Sequence, residues 1–218
     1  MQVLFLGKRG DPLCAIMRDW CEQHIGETLY FEGEWGEPLP EAARQWQGDL
    51  LISYLCRWVV PTSLLAKARV AAINFHPAPP EYPGIGCNNF ALYENASVYG
   101  ATCHHMAAQV DTGRIIQVNR FLVAPEETVA SLLERTYVTM AELFKQVMSS
   151  FLRTGDLPES GERWTRVPFT RLQFEELRRI SPEMSPEEMR RRIRATYYPP
   201  WGPYVELNGH KFQFTGNQ

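Results

Sequence analysis

The chain has 218 residues, of which 44% are hydrophobic, and its formal net charge at pH 7 is −3. A chain of this length and composition can bury one substantial core, so it is not a disordered protein. The slightly acidic charge gives no general reason to expect nucleic acid or an anionic membrane surface as a partner. We therefore expect neither.

The cysteines indicate a reduced protein. Their odd number and the lack of short paired spacings argue against a disulfide framework and against a zinc site. The amino-terminal apolar run has no basic region before it, so it predicts a buried first strand rather than a signal peptide. No apolar run approaches the roughly 20 residues that span a bilayer. We expect a cytoplasmic protein without a metal. The five cysteines are Cys14, Cys21, Cys56, Cys87 and Cys103.

The first half of the chain alternates short apolar runs with helical patterns. This alternation predicts parallel strands joined by crossover helices. Two consecutive strand-like segments then predict an antiparallel pair beside the parallel strands. The predicted parallel strands are 2–6, 27–32, 48–55 and 70–75. Helical spacing over 13–20 and a short helix at 40–46 lie among them, and the antiparallel pair is 98–107 and 113–123.

The second half contains the longest predicted helix, over 124–155, with an acidic start, an apolar stripe and a closing glycine. Two short helices are predicted at 169–180 and 185–195, and a β-hairpin is predicted to turn at Asn208-Gly209. The fold class is thus α/β, a Rossmann-like, mostly parallel twisted sheet flanked by helices. We divide it into a core, residues 1–155, and an extension of short helices and a hairpin, residues 156–218.

A glycine-bounded turn, Gly7 to Asp11, follows the first strand and carries Lys8 and Arg9. Backbone amides at the start of a helix, together with two cations, could hold a phosphate. The spacing is neither the dinucleotide fingerprint nor a phosphate-loop lysine motif. A plain strand-to-helix turn explains the segment equally well, and both interpretations stay open.

The segment "INFHPAPPEYPG", residues 73–84, places Asn74 and His76 two residues apart at the end of a strand. Alternate residues of a strand share a face, and strand ends are where α/β sheets bind ligands. Pro77 favours an extended backbone at His76. An amide and an imidazole held together can donate hydrogen bonds to a developing oxyanion. A hydrogen-bonded structural pair is the simpler alternative.

Asp111 lies between the two antiparallel segments. Its carboxylate could simply close a turn with the backbone two residues on. Placed near His76, it would instead favour the protonated imidazole and could take up a proton from an attacking amine.

These segments together resemble the formyltransferase family that uses 10-formyltetrahydrofolate. That family carries an Asn-x-His-Pro segment ending in a Pro-x-x-x-Gly loop, then Gly-x-Thr-x-His, then Asp-x-Gly-x-Ile-Ile. The resemblance covers residues 1 to about 150, and it departs from the family where Ala78-Pro79 replaces the usual Ser-Leu-Leu. The matching residues here are Asn74, His76, Pro77, Pro80, Gly84, Gly100, Thr102, His104, Asp111, Gly113, Ile115 and Ile116.

The resemblance implies that Asn74, His76 and Asp111 form a catalytic trio. A substrate amine would attack the formyl carbon while protonated His76 and Asn74 stabilise the oxygen. Asp111 would keep His76 protonated and help to move the proton of the amine. The family chemistry needs no metal.

The resemblance also implies where the donor, N10-formyltetrahydrofolate, would bind. Arg57, Trp58 and Val59 occupy the places that should hold the pterin, and the loop from Ala107 through Gln109 to Asp111 should face it. Packing alone is an equally simple explanation for Trp58.

The acceptor is suggested by the end of the chain. Methionyl-tRNA formyltransferases are usually longer and more basic, and glycinamide ribonucleotide formyltransferases lack such a tail. The tail "RIRATYYPPWGPYVELNGHKF" is similar to the ends of enzymes that formylate nucleotide-linked amino sugars. Each candidate contact below also has a purely structural explanation. The candidates are Trp201 or Tyr204 for base stacking, Lys8 and Arg9 for the phosphates, and Tyr82 and Asn88 near the sugar.

Other functions stay open at this point. The acceptor could be glycinamide ribonucleotide, a hydroxylated ornithine or methionyl-tRNA, or the protein could be a sensor that binds folate or a nucleotide without transfer. Apolar residues in the tail hairpin, including Val205 and Phe212, could support a homodimer.

Overall fold

Six strands form the central sheet in the computed structural model, which describes residues 1–216. The sheet order is β2-β1-β3-β4-β5-β6. The first four strands are parallel, β5 is antiparallel to β4, and β6 is antiparallel to β5. The predicted mixed α/β sheet is therefore confirmed. The strands are β1 (Val3–Lys8), β2 (Thr28–Gly33), β3 (Gly48–Tyr54), β4 (Ala68–His76), β5 (Val98–His105) and β6 (Ile115–Leu122).

Helices cover both faces of this sheet, and a separate hairpin lies in the extension. The hairpin turns at Asn208 and Gly209, with φ angles of 50° and 78°, as the Asn-Gly pair predicts. The helices are α1 (Pro12–His24), α2 (Glu41–Gln45), α3 (Thr62–Leu65), α4 (Cys87–Tyr93), α5 (Val129–Thr154), α6 (Arg171–Arg178) and α7 (Pro186–Thr196), and the hairpin strands are β7 (Tyr204–Leu207) and β8 (His210–Gln213).

The central strands β1 and β3 are buried on both sides, which explains why they are almost continuously apolar. On one face, Phe5, Ile52 and Phe75 pack against α1 and α5. The rings of Phe75 and Phe144 lie 4.9 Å apart there. On the other face, Leu51 belongs to a second apolar cluster that includes residues of α2 and α3. The strands are thereby fixed in register, and their carboxyl ends are held in line.

The long helix α5 begins at Val129, five residues after the predicted start. Thr128 caps it, because its side chain accepts a hydrogen bond from the amide of Ser131, and the Ser131 hydroxyl accepts one from the amide of Thr128. The acidic residues that suggested an earlier start precede the helix. Glu127 is buried there and is paired with Arg135.

Helix α4 was not predicted from the sequence. All but one of its seven residues are buried, so it has no polar face and no amphipathic pattern to detect. Two of the buried residues are asparagines. The Asn89 amide donates to the carbonyl of Ala195, at 2.7 Å, which ties α4 to α7.

The extension packs on the core. Leu177 and Ala195 share one apolar cluster with Tyr99 and Leu132. The division at residue 155 therefore stays a prediction, although α5 does end there at Gly155, which has a φ of 73°. None of the helices found within residues 1–216 combines the length and the apolar character that crossing a membrane requires.

Gly113 offers a test of the close packing behind Asp111. A Cβ at this position would overlap the carbonyl oxygen of His105, whereas a Cβ at Gly161 would meet open space. We expect Gly113→Ala to lower the free energy of unfolding by about 1–3 kcal/mol, as overpacking does. Urea unfolding measures this change, with Gly161→Ala as the matched control. Equal stability of the two variants would contradict the packing.

Candidate active site

One cavity of about 370 Å³ opens at the carboxyl ends of β3 and β4. This volume is within the range of small-molecule sites. Its wall combines apolar and aromatic residues with a few convergent polar side chains, the composition expected of a binding site. The polar side chains in the wall include Ser53, Asn74, His76, Asn88, His104 and Asp111.

Strand β4 aims Asn74 and His76 at this cavity. Ile73 and Phe75 are almost fully buried in the core on the opposite face. Because side chains alternate along a strand, burying Ile73 and Phe75 forces Asn74 and His76 to the cavity side, and both line it. The predicted alternation is therefore what presents the two polar side chains.

The proline-rich loop that follows β4 is fastened to β5. The hydroxyl of Tyr99 donates to the carbonyl of Pro77 at 3.0 Å, and the hydroxyl of Thr102 donates to the carbonyl of Ala78 at 2.7 Å. Both loop carbonyls are thus satisfied by one neighbouring strand. The loop reaches Gly84 in a fixed path, at the point where its backbone meets Asp111.

Asp111 is the centre of the polar cluster. Its Oδ2 lies 3.3 Å from Nδ1 of His76 and accepts a 2.8 Å hydrogen bond from the amide of Gly84. Its Oδ1 lies 3.4 Å from Nε2 of His104. The residue is buried, and its φ of 50° is in the left-handed region, which aspartate adopts more readily than most residues. The structure therefore brings the predicted trio together.

The surroundings of Asp111 keep it ionised. Burial alone would raise the pKa of this carboxyl group. The positive charge of His76, the hydrogen bond and charge of His104, and the amide of Gly84 outweigh burial and lower the pKa to about 2. A buried carboxylate of this kind acts as a fixed negative charge at neutral pH.

His76 is held at both ring nitrogens. Nδ1 faces the carboxylate of Asp111, and Nε2 lies 3.0 Å from the carbonyl oxygen of Tyr82. The carbonyl accepts a hydrogen bond from Nε2, and the negative charge of the carboxylate lies next to Nδ1. The geometry therefore suits an imidazolium beside the cavity.

His104 is a site residue that the sequence pattern included without giving it a role. It pairs with Asn74 across β4 and β5, and its Nε2 lies 3.1 Å from the side-chain nitrogen of Asn74. Its Nδ1 lies 2.8 Å from the carbonyl of His105. The cross-strand register was the signal that could have found it. The Nε2 of His104 thus lies against both the side-chain amide of Asn74 and the carboxylate of Asp111, so His104 positions the two.

Trp164, from the extension, was not predicted at all. Its ring lies edge-on to His104, at 5.0 Å between centroids, and to His76, at 5.8 Å. Its indole N–H donates to the carbonyl of Gly113 at 2.7 Å. No local pattern in the sequence links a tryptophan at this position to residues so far back in the chain. It packs an apolar edge against both imidazoles.

The residues predicted to face the folate donor line the same cavity. Arg57, Trp58 and Val59 follow β3, and Ala107 and Gln109 lie in the loop before Asp111. The indole of Trp58 donates to the carbonyl of Glu37 at 3.0 Å, so its ring is fixed in place. An apolar wall with fixed aromatic and backbone groups fits a flat heterocycle.

The candidates near the sugar and the phosphates are less well grouped. Asn88 lines the cavity. The side chain of Tyr82 is outside the cavity lining and packs under Arg166, at 5.1 Å. Lys8 is paired with Asp11, and Arg9 is paired with Glu37 through two hydrogen bonds of 2.6 and 2.7 Å.

The two aromatic residues of the tail are also outside the cavity lining. Trp201 is 59% exposed and stacks on Tyr198. Tyr204 is buried between the cations of Arg178 and Lys211. The structure therefore places Asn88 beside the trio and does not bring Lys8, Arg9, Trp201 or Tyr204 to it.

Metal-binding clusters and disulfides are both absent from the described residues. Within residues 1–216 no cluster of three or more His, Cys, Asp or Glu residues has a geometry that could hold a metal ion. All five cysteines are free thiols.

Sequence comparison matches residues 31–148 to the Formyl transferase family. The chain is 25% identical over 166 residues to a methionyl-tRNA formyltransferase of Lactobacillus acidophilus, which covers 76% of this chain and 52% of that protein. It is 27% identical over 175 residues to a GDP-perosamine N-formyltransferase of Brucella melitensis, which covers 78% and 64%. The chain therefore spans about half to two thirds of the length of these relatives.

Solved structures share the fold over almost the whole chain. A sugar N-formyltransferase from Shewanella has a TM-score of 0.78 at 16% identity and covers 98% of this chain and 96% of its own. An N-formyltransferase from Helicobacter canadensis, in complex with folinic acid and dTDP-3-aminofucose, has a TM-score of 0.71 at 15% identity, covering 96% and 85%.

The low pKa of Asp111 predicts a pH dependence of stability. Its folded pKa, about 2, is below the 3.8 of an unperturbed aspartate. Its contribution of about 2 kcal/mol is therefore present above pH 4 and is lost as the pH falls from about 4 to 2. Urea unfolding across this window should show a larger loss for the wild type than for Asp111→Asn. The exposed Asp156→Asn is the control and should follow the wild type. Parallel curves for all three proteins would contradict the assignment.

Proposed function

Because this chain belongs to the formyl transferase family, we propose that it moves a formyl group from 10-formyltetrahydrofolate to the primary amine of a nucleotide-linked amino sugar. One observation carries the proposal. Asn74, His76 and Asp111 meet beside a cavity of small-molecule size, with the carboxylate of Asp111 3.3 Å from the imidazole of His76. A protein that only bound folate would have no need of this cluster.

In the proposed reaction the amine nitrogen forms a bond to the formyl carbon, and the bond from that carbon to N10 of the donor breaks. The proton of the amine is transferred to the departing N10, so the products are a formamide and tetrahydrofolate. The carbonyl oxygen gains negative charge on the way. Groups placed where charge develops account for much of the rate of such reactions.

Asn74 and His76 act on that oxygen in different ways. The side-chain amide of Asn74 donates a hydrogen bond directly. The Nε2 of His76 is held by the carbonyl of Tyr82 and its Nδ1 lies beside Asp111, so His76 contributes mainly the positive charge of its ring. Holding both groups before the substrate arrives avoids reorganisation at the moment of reaction.

Asp111 acts in this account as a fixed charge and an anchor. A general base works best when its pKa is near the working pH. A pKa of about 2 makes Asp111 a weak base, so we give it the role of stabilising the charge of His76. Asp111 therefore has a smaller role in taking up the proton of the amine than the family resemblance implies.

Several observations support a sugar acceptor. The relatives include a GDP-perosamine N-formyltransferase, and the likeness in fold to a sugar N-formyltransferase extends across 98% of this chain, extension included. Helix α6 of the extension contributes Arg171 and Phe174 to the cavity wall. We assign Asn88 to the sugar side, and Arg57, Trp58, Val59 and the loop through Ala107 and Gln109 to the donor side.

Methionyl-tRNA is the second candidate acceptor, because a methionyl-tRNA formyltransferase is among the relatives at similar identity. The net charge of −3 weighs against a large polyanionic substrate. We further propose a cytoplasmic homodimer that uses the tail hairpin, where Phe212 is 55% exposed.

Substitution of the two groups that face the oxygen tests the mechanism. We expect Asn74→Ala and His76→Ala each to lower kcat by about 100- to 1,000-fold, the usual effect of removing one such stabilising group. The measurement is the release of tetrahydrofolate, with urea unfolding to check the fold. His24→Ala, at an exposed histidine, should keep wild-type activity. Full activity in both cavity variants would refute the assignment.

An acceptor panel tests the substrate class. The wild type is mixed with the donor and, in separate reactions, with GDP- and dTDP-linked amino sugars, glycinamide ribonucleotide, hydroxyornithine and methionyl-tRNA. We expect the highest kcat/KM with a nucleotide-linked amino sugar. A higher value for any other amine would overturn the sugar assignment, and folate binding without transfer to any amine would favour a sensor.

A further inference from the structure

Two arginines share one tryptophan at the edge of the reaction cavity. The guanidinium carbon of Arg57 lies 5.0 Å from the ring centroid of Trp35, and that of Arg171 lies 5.3 Å from the same ring. All three residues line the cavity. Because both cations are about 5 Å from one ring, they are no more than about 10 Å apart. We call Trp35, Arg57 and Arg171 the arginine–tryptophan cluster.

The charges of this cluster have no carboxylate partner in the part of the chain that the structure describes. Among the described residues 1–216, no carboxylate lies within ion-pair distance of either guanidinium group. The Nε of Arg57 is buried and has no hydrogen-bond partner. A partly buried cation without a partner carries a desolvation cost, so its presence calls for an explanation.

The position of Arg171 in its helix is also unfavourable for a cation. It is the first residue of α6, where the helix dipole disfavours a cation. Helix stability therefore does not explain an arginine here. An anion placed between Arg57 and Arg171 would relieve both the repulsion between the two charges and the unfavourable helix position.

The two cations of the glycine turn, unlike those of the arginine–tryptophan cluster, are paired with carboxylates. Arg9 is neutralised by two hydrogen bonds to Glu37, and Lys8 is paired with Asp11. These two cations were the sequence-based candidates for phosphate binding. Within residues 1–216, the cations that face the cavity without a carboxylate are instead those of the arginine–tryptophan cluster.

We propose that Arg57 and Arg171, held against Trp35, form an anion subsite that binds a phosphate or carboxylate group of a substrate in the cavity. The proposal rests on the proposed function for its choice of substrates. Both of them carry such anions, the diphosphate of the nucleotide sugar and the glutamate carboxylates of the folate. Guanidinium groups bind phosphate and carboxylate oxygens in the same paired geometry, so the chemistry is shared, and Arg57 is moved from pterin contact to anion contact.

Binding measurements on Arg57→Gln and Arg171→Gln test the subsite without relying on turnover. Calorimetric titrations use GDP, dTDP and inorganic diphosphate as probes of the acceptor anion, and folinic acid as the probe of the donor anion. We expect each substitution to weaken binding of one of these two sets by about 10- to 100-fold, the loss typical of a charge-assisted hydrogen bond. Weaker binding of the nucleotides assigns the subsite to the acceptor, and weaker binding of folinic acid assigns it to the donor.

Arg18→Gln is the matched control. Arg18 also lies 5.0 Å from an aromatic ring, that of Tyr30, but it is paired with Asp19 and is not part of the cavity wall. The Arg18→Gln variant should bind every probe as the wild type does. Urea unfolding of all three variants separates a loss of affinity from a loss of fold.

The outcomes distinguish this subsite from the formyl transfer itself. Unchanged affinity for all probes in both folded cavity variants would overturn the subsite, even if the wild type transferred formyl groups. Weakened binding in the cavity variants would support the subsite even if no amine were formylated, and the proposed function alone would then fail.

Discussion

The carboxylate of Asp111 is the contact on which the site depends. It accepts a hydrogen bond from the amide of Gly84, faces His76 with one oxygen and faces His104 with the other. One buried charge thus connects the proline loop, strand β4 and strand β5. Removing it would leave two imidazoles without their common partner and would free the loop at Gly84, since unpaired buried polar groups are costly.

The sheet makes this arrangement possible. β4 is the last of the parallel strands, and β5 runs antiparallel beside it. The carboxyl end of β4 is therefore next to the loop that leads to Asp111, although the two are more than thirty residues apart in the sequence. Burial of Ile73 and Phe75 decides which way Asn74 and His76 point, and the loop carbonyls held by Tyr99 and Thr102 keep the loop in place.

Much of this could be predicted from the sequence because it depends on local pattern. Apolar runs separated by helical segments gave the parallel strands, and alternation along 73–76 gave the direction of the two polar side chains. The Asn208-Gly209 hairpin followed from its turn chemistry. In each of these cases a few adjacent residues contain the physical cause, whereas Asp111 as the partner of Asn74 and His76 came from the resemblance to the formyltransferase family.

Contacts between distant segments could not be predicted in this way. Helix α4 has no polar face to reveal it, Trp164 reaches the histidines from the extension, and Arg171 meets Trp35 only in the folded chain. The glycine turn shows the opposite error of local reasoning. Lys8 and Arg9 have the right chemistry for phosphate. In the fold, however, Lys8 is paired with the nearby Asp11, and Arg9 is paired with Glu37, which is distant in the sequence.

The most direct test of the central claim follows the formyl carbon itself. Wild type and Asp111→Asn are each incubated with donor labelled with ¹³C at the formyl group and with a nucleotide-linked amino sugar, and the product carbon is observed by NMR. We expect a formamide signal from the wild type and a loss of at least about 100-fold in its rate of appearance in the variant. A signal that appears equally fast in the folded variant would contradict the role given to this carboxylate, and with it the proposed mechanism.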